Sequence, residues 1–491
     1  FQNMKLKNQS ILILGPLLFF LILFWGPVEG LPEAAQAVLA ATVWIALWWV
    51  FEVVPISVTA LLPIILFPMA GGVDLSTTTA AYGHKYIFLY MGGFMIAIAL
   101  EKWNLHKRIA LSIINAVGTN IQRIVLGFML ATAFLSMWIS NTATSVMMLP
   151  IGISIVKQLN DNPLTSENEN SVFGKMLMLA IAYSASIGGI ATLIGTPPNL
   201  VLAGVISEIY GVEISFLQWF IFGFPVSLVL LFSAWFFLTR IAFSMKMKEF
   251  PGGREEIKRL QLALGPMGYE EKVVAVLFGL TAFCWISRSY LLQPLFPALD
   301  DTIIALFFGI LLFLFNAQKK GQKLLHWEEA VRMPWGIILL FGGGMALAKG
   351  FDSSGLAVWI GNQLNAIQGM SFMLIVLFVI AMVNFLTEIT SNLATTAMLL
   401  PILAPLALQL DVHPFVLMVG AATAASCAFM LPVATPPNAV VFGSGYLKIA
   451  DMVRIGVGLN IYSIVLLWMA VYFLLPVLWG IDGQDFPGAF R

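Results

Sequence analysis

Charge is scarce in this chain. Of 491 residues only 10% are charged, against 60% hydrophobic. A soluble protein of this length needs far more ionic surface. The 25 basic and 25 acidic side chains cancel. No strongly basic face is therefore available to neutralise a nucleic-acid backbone, which excludes that class of partner. Cysteine is nearly absent, and Cys284 and Cys427 both lie in apolar segments. They read as small core residues, not as a disulfide or metal pair. The four histidines, His84, His106, His326 and His413, sit near expected helix ends or loops, so a histidine proton relay is not expected. With no zinc histidine pair, no Gly-x-Gly-Asp phrase and no Ser/His dyad at membrane depth, an intramembrane enzyme is disfavoured.

Long apolar runs are abundant, and 14 Trp and 38 Phe suit a lipid-facing exterior with aromatic belts. The expected fold is an all-α polytopic membrane protein of about eleven transmembrane helices plus two re-entrant hairpins. Spans are expected near 10–26, 34–51, 54–71, 86–101, 176–210, 215–240, 272–290, 301–316, 334–350, 414–445 and 454–480. The first run lacks a small-residue cleavage site and reads as a retained span. Residues 124–158 fit neither one span nor two. As a single helix they would extend roughly 52 Å, against a hydrocarbon core of about 30 Å. A hairpin with its tip at Ser140-Asn141-Thr142 resolves the mismatch, and 372–407 repeats the pattern around Ser391-Asn392. Irregular backbone at that depth must be buried in protein or line a cavity.

Basic residues give an orientation. Lys5 and Lys7; Lys102, Lys107 and Arg108; Arg240, Lys246, Lys248, Arg254, Lys258 and Arg259; and Lys319, Lys320 and Lys323 all fall on one side if the N-terminus is cytoplasmic. The C-terminus is then outside, in a plasma or inner membrane. Five crossings separate the hairpins, so the second enters upside down relative to the first. The expected organisation is a first span in 1–33, a first inverted repeat in 34–240, a cytoplasmic linker in 241–271, a second repeat in 272–480 and a tail in 481–491. The 161–172 stretch reads as a solvated loop, and 246–272 as a linker with an interfacial helix. Gly92-Gly93 and Gly342-Gly343 recur at matching places and read as close-packing positions.

Two phrases are duplicated. Ser140-Asn141-Thr142-Ala143-Thr144 is echoed by Ser391-Asn392-Leu393-Ala394-Thr395, and Gly195-Thr196-Pro197-Pro198-Asn199 by Ala434-Thr435-Pro436-Pro437-Asn438. Proline belongs in a first helical turn, so Thr196 and Thr435 are expected to be N-caps of new half-helices. With the two hairpin tips, four helix N-termini near the midplane would offer N–H groups and partial positive charge to an anion. None of the phrases contains Lys, Arg or His. A di- or tricarboxylate held there would be undercompensated in charge, and bound sodium at the exposed carbonyls would correct this. An inverted repeat with broken helices at its centre is a signature of secondary transporters.

These paired phrases and the eleven-span plan resemble the divalent anion/sodium symporter family, over about residues 34–480. The resemblance implies a homodimer with a scaffold and a moving transport domain, carrying dicarboxylates or citrate by an elevator-like motion. It implies one sodium site at Ser136, Ser140, Asn141 and the Gly195 carbonyl. A second would use Thr387, Thr390, Asn392 and the Ala434 carbonyl. Substrate carboxylates would meet Ser140, Asn141, Thr142, Thr196, Ser391, Asn392 and Thr435. Leu393 departs from the pattern, standing where a symmetric motif has Thr. The expected function is sodium-coupled import of a C4-dicarboxylate such as succinate, malate or fumarate. The alternatives are a sodium-independent dicarboxylate exchanger and a carrier of another oxyanion such as sulfate.

Four further residues have readings of their own. Asn199 and Asn438 are read as satisfying free N–H groups in the first helical turn. Glu388, inside the second hairpin, serves either a proton or cation, or a structural pairing with a base such as Lys349. Glu52, at the end of the second span, is read as interfacial.

Overall fold

Helices stop where the polar phrases begin. The computed structural model describes every residue except 1, 119, 161–165, 244, 246–251, 319–320, 364–369 and 491. Among the described residues the chain is helical, relieved by one isolated bridge between Asn316 and Lys323. Helices α1 (Gln2–Leu23) and α2 (Glu33–Phe51) pack together. The third expected span is broken at Ala60 and Leu61 into α3 (Ile56–Thr59) and α4 (Leu62–Ala70). A short α5 (Leu75–Ala80) leads into α6 (Lys85–Lys102). The spans anticipated by hydropathy omit α7 (Leu105–Val117), an amphipathic helix that buries Leu105, Ala110, Leu111 and Ile114 and leaves Lys107 exposed.

Residues 121–160 form two helices, α8 (Ile121–Ser136) and α9 (Asn141–Asn160), joined through 137–140. The break expected at Thr-Pro-Pro follows: α10 (Glu167–Ile190) stops, and α11 (Pro197–Tyr210) starts at the first proline. Next come α12 (Phe216–Phe236), α13 (Gly253–Ala263), α14 (Tyr269–Ser287), α15 (Asp301–Leu314), the short α16 (Trp327–Ala330), α17 (Trp335–Ser353) and α18 (Leu356–Gln363). The helix–turn–helix then recurs as α19 (Phe372–Leu386) and α20 (Asn392–Gln409), and the broken helix as α21 (Pro414–Ala425) and α22 (Pro436–Phe442). The chain closes with α23 (Ile449–Met469) and α24 (Leu475–Trp479). Arms α8 and α19, of 16 and 15 residues, rise only roughly 23 Å, less than a hydrocarbon core of about 30 Å.

The broken helices form the core. Helix α10 is buried along 94% of its apolar window, and every residue of α21 is buried. Helix α10 packs on α8, α9, α12 and α22, while α21 packs on α19, α20, α11 and α23. The two halves thus share one interior. Exposed Phe24, Trp25, Phe296, Phe307, Phe378 and Val477 present an apolar exterior, as a multi-pass membrane protein requires. The recurrent glycines do pack closely: a β-carbon on Gly92 would lie 2.7 Å from Ala305, and one on Gly343 2.7 Å from the Ala60 carbonyl. Residues 161–165 of the expected solvated loop, 244 and 246–251 of the linker, and Lys319 and Lys320 lie outside the described residues. The described part of the expected linker includes α13, an amphipathic helix tied to α7 by Gln261 Nε2 donating to the Leu111 carbonyl at 3.2 Å.

Candidate functional site

Prolines 197 and 436 start helices because each occupies the first helical turn, where its missing N–H costs nothing. Thr196 and Thr435 precede them in extended backbone, and Thr435 Oγ1 accepts from the Asn438 N–H at 3.3 Å. Asn141 and Asn392 open α9 and α20. The starts of α9, α11, α20 and α22 converge on one cavity of about 360 Å³. Ser140, Asn141, Thr142, Thr196, Ser391, Asn392 and Thr435 all line it, together with Leu393 and Ala434. Among the described residues its walls carry no Lys, Arg or His. Free N–H groups, hydroxyls and amides are what it offers an anion.

Behind each tip lies a matching polar cluster. Ser136 Oγ donates to the Ala185 carbonyl at 2.6 Å. The Asn141 amide, oriented to satisfy its neighbours, donates to Ser136 Oγ at 2.5 Å and to the Gly195 and Ala185 carbonyls at 3.2 Å. Side chains are excluded there, since a β-carbon on Gly189 would sit 2.7 Å from the Asn141 amide and 3.1 Å from the Gly195 carbonyl. In the second half Thr387 Oγ1 donates to Asn392 Oδ1 at 2.7 Å and to the Ala425 carbonyl at 3.1 Å. Ser136, Asn141 and Ala185 thus correspond to Thr387, Asn392 and Ala425. Each cluster concentrates uncharged oxygens, the hard donors that suit an alkali cation. Ser140 instead caps α9, its Oγ accepting from the Ala143 N–H at 3.2 Å. Thr390 turns aside, sharing a 2.6 Å hydrogen bond with Thr395 and donating to the Leu386 carbonyl.

Three readings need correction. Asn199 and Asn438 do not cap N–H groups: their amides donate to carbonyls of the preceding break. Asn199 Nδ2 reaches the Thr192 carbonyl at 2.8 Å and Gly189 at 3.2 Å, and Asn438 Nδ2 reaches Leu431 at 3.0 Å and Ala428 at 3.2 Å. Unwinding frees carbonyls as well as N–H groups, and a buried carbonyl without a donor is costly. Glu388 does not pair with Lys349, which binds Glu208 at 3.0 Å. Its Oε1 accepts from the Phe429 and Met430 N–H groups at 2.8 and 3.0 Å and from Asn460 Nδ2 at 2.7 Å, while Oε2 accepts from Leu431 at 3.0 Å. The carboxylate pins the unwound segment between α21 and α22. Glu52 is exposed, as expected, but it lines the cavity. Sequence reading also passed over Tyr90 on that wall and the Ala185 and Ala425 carbonyls, because backbone acceptors have no side-chain signature.

The cavity opens toward one end of the molecule. Ser140, Thr142 and Ile337 also line a vestibule of about 1080 Å³, which continues past Glu101, His106, Lys107, Leu264 and Arg332. This is the Lys102 end of α6, where Lys102 pairs with Glu329 at 2.7 Å and Arg108 with Glu271 at 3.0 Å. The Lys85 end of the same helix is tied by ionic pairs. There Glu213, between α11 and α12, binds Lys85 at 3.0 Å and Arg288 at 2.7 Å, and the Phe216 N–H donates to Asp301 at 2.7 Å. Tyr86 bonds the Ile214 backbone, and Lys349 holds Glu208. The histidines stand apart from the cavity, and burial pushes His413, which caps α21, down to about 4.

Residues 7–480 match the sodium:sulfate symporter transmembrane region. The chain belongs to the divalent anion/sodium symporter family. It is 50% identical over 495 residues to the sodium-dependent dicarboxylate transporter SdcS of Staphylococcus saprophyticus, covering 98% of this chain and 95% of that protein. Identity to SdcS of Staphylococcus aureus strain USA300 is 47% over 477 residues, covering 96% and 92%. Among solved structures, Neisseria gonorrhoeae MtrF aligns with a TM-score of 0.58 at 12% identity, over 85% of this chain and 87% of that one. The Alcanivorax borkumensis YdaH transporter aligns at 0.55 and 13%, over 83% and 87%; at such identities the likeness concerns the fold. This symporter-family chain is a membrane transport protein and not an enzyme.

Proposed function

We propose that the protein is a sodium-coupled importer of C4-dicarboxylates of the succinate, malate and fumarate class. The observation that carries the reading is the single cavity without a basic side chain, backed by two clusters of uncharged oxygens. A dianion at helix N-termini needs positive charge, and sodium at the two clusters supplies it. The likeness to transporters described as sodium-dependent dicarboxylate transporters supports the same ion and substrate class. Ser136, Asn141 through its Oδ1 once the amide turns over, and the Gly195 carbonyl, with Ser140 beside them, would hold one sodium; Thr387, Asn392 and the Ala434 carbonyl, with Thr390 adjacent, would hold the other. Ser140, Asn141, Thr142, Thr196, Ser391, Asn392 and Thr435 would contact the carboxylates.

Alternating access would follow an elevator motion within a homodimer, as the family resemblance implies. Helices α8–α12 and α19–α23 would move against α1–α6, α14, α15 and α17. The vestibule and the ionic clasp are consistent with a state open to the Lys102 side, the cytoplasmic side by its basic residues. The inverted halves would then each contribute one tip and one break to the site.

Uptake of labelled succinate into proteoliposomes tests the function. Accumulation driven by inward sodium, and absent in potassium, is expected. Uptake that needs only internal dicarboxylate would make the protein an exchanger, and silence toward all dicarboxylates would overturn the substrate assignment. Leu393 is buried on the cavity wall, so Leu393→Thr adds a hydroxyl to the second tip. Relative preference among C4 and C6 acids is expected to shift by about three- to tenfold, read by competition uptake; an unchanged profile would remove Leu393 from the pocket.

The clasp has its own test. Arg288 is only 4% exposed at its side chain and keeps Asp301 at 3.0 Å, so Glu213→Gln removes one of its two acidic partners, at a cost of about 1–2 kcal/mol. Opening at the Lys85 end is expected to increase by about tenfold. The readout is faster thiol labelling of Ile214→Cys in a background lacking Cys284 and Cys427. Unchanged labelling would mean that the clasp does not hold the closed end.

A further inference from the structure

The site just described takes up an anion, yet one wall carries a carboxylate. Among the described residues lining the cavity Glu52 is the one acidic residue, and Tyr90 is the other ionisable one. Glu52 is exposed, and among the described residues it has no hydrogen-bond or ion-pair partner. Its backbone is left-handed, with φ 46° and ψ 45°, at the C-cap of α2. Among the described residues only Asn104 and Asp411 share positive φ without being glycine. Asn and Asp tolerate that region, whereas a longer side chain pays a strain that glycine would avoid. A carboxylate kept in a strained position, unpaired, on the wall of an anion site calls for a chemical reason.

We infer that Glu52 is a coupling residue: its charge penalises dicarboxylate bound without sodium. The inference rests on the function proposed above. With two sodium ions bound, the two charges of the substrate are balanced and Glu52 faces a neutral complex. With sodium gone, it faces an uncompensated dianion. A cavity of about 360 Å³ is roughly 9 Å across, so the charges lie within about 10 Å of each other. At an effective dielectric near 40, repulsion between one charge and a dianion at that distance weakens binding by about tenfold. The penalty acts selectively on the sodium-free complex, whose movement across the membrane would uncouple the two gradients. A role for Glu52 as a sodium ligand has the opposite sign, because removing a ligand would weaken binding in sodium.

Equilibrium binding of labelled succinate to the purified full-length protein tests this, in choline and in sodium held below the concentration that fills the substrate-free protein, where succinate and sodium enter together. The variants are Glu52→Gln, which keeps shape, and Glu52→Gly, which removes charge and relieves the backbone. Both are expected to bind succinate about tenfold more tightly than wild type in choline, and to change less than twofold in sodium. Sodium-free succinate exchange across proteoliposomes should rise in parallel. Affinity in choline that is unchanged in both variants, or weakened binding in sodium, would overturn the proposal. If one variant fails to fold, the other carries the measurement. Wild-type protein that binds no succinate in sodium would instead overturn the proposed function, a result separable from any effect at Glu52.

Discussion

Asn141→Ala and Asn392→Ala are each expected to reduce sodium-driven succinate uptake by about 100-fold or more. Each asparagine begins a helix at the cavity and also joins the polar cluster behind it. Asn141 ties together Ser136 Oγ and the carbonyls of Ala185 and Gly195, while Asn392 Oδ1 receives Thr387 Oγ1. Alanine removes a proposed substrate contact and a proposed sodium ligand in one step. Losing about 2–3 kcal/mol at a shared site corresponds to about 30- to 150-fold in affinity, and loss of coupling adds to it. The measurement is proteoliposome uptake, with gel filtration and thermal unfolding to verify the fold. Near-normal transport by both well-folded variants would sink the site assignment. Sodium titration sharpens the test: each variant should need more sodium for half-maximal uptake, whereas a purely structural change would lower the maximum alone.

Glu388→Ala is expected to do larger damage to the fold itself. It leaves the N–H groups of Met430 and Leu431 without their carboxylate and removes a partner from Phe429 and Asn460. Each buried donor left unpaired costs about 1–3 kcal/mol, so a loss of several kcal/mol is expected from this one residue. The segment that loosens is the one ending in Ala434 and Thr435, on the cavity wall. Thermal unfolding in detergent should therefore fall markedly, together with uptake. Glu388→Gln keeps one acceptor oxygen and should fall between wild type and alanine. If Glu388 instead carried a coupling proton, glutamine would leave stability intact and abolish only the pH dependence of transport. That pattern would refute the anchoring role.

Much of this site is visible in sequence because polar residues within long apolar runs stand out. Ser140-Asn141-Thr142 and Thr196-Pro197-Pro198 could not lie in ordinary spans without cost, and the duplication signals a second contribution to one site. Helix starts at Pro197 and Pro436 follow from proline chemistry, and the arms of α8–α9 and α19–α20 follow from chain length against bilayer thickness. The errors share a cause as well. Capping rules direct Asn199 and Asn438 to N–H groups because they consider a helix start alone, whereas unwinding also strands carbonyls on the other side of the break. The pairing of Glu388 with Lys349 rested on charge, and neither residue's neighbours can be read from spacing.

By itself the sequence determined the membrane class, the helical architecture, the places where helices break and the uncharged polar chemistry of the tips. Those properties depend on local composition, on proline and on the cost of polar groups in hydrocarbon. Tertiary structure alone decided that both tips and both breaks meet in one cavity, and that Glu52 from α2 faces it. It also decided that the Ala185 and Ala425 carbonyls complete the two clusters, that ion pairs clasp the Lys85 end and that a vestibule adjoins the cavity toward the Lys102 end. Such facts arise from packing between helices far apart in the chain, where backbone carbonyls and opposed side chains gain meaning only from what lies across from them.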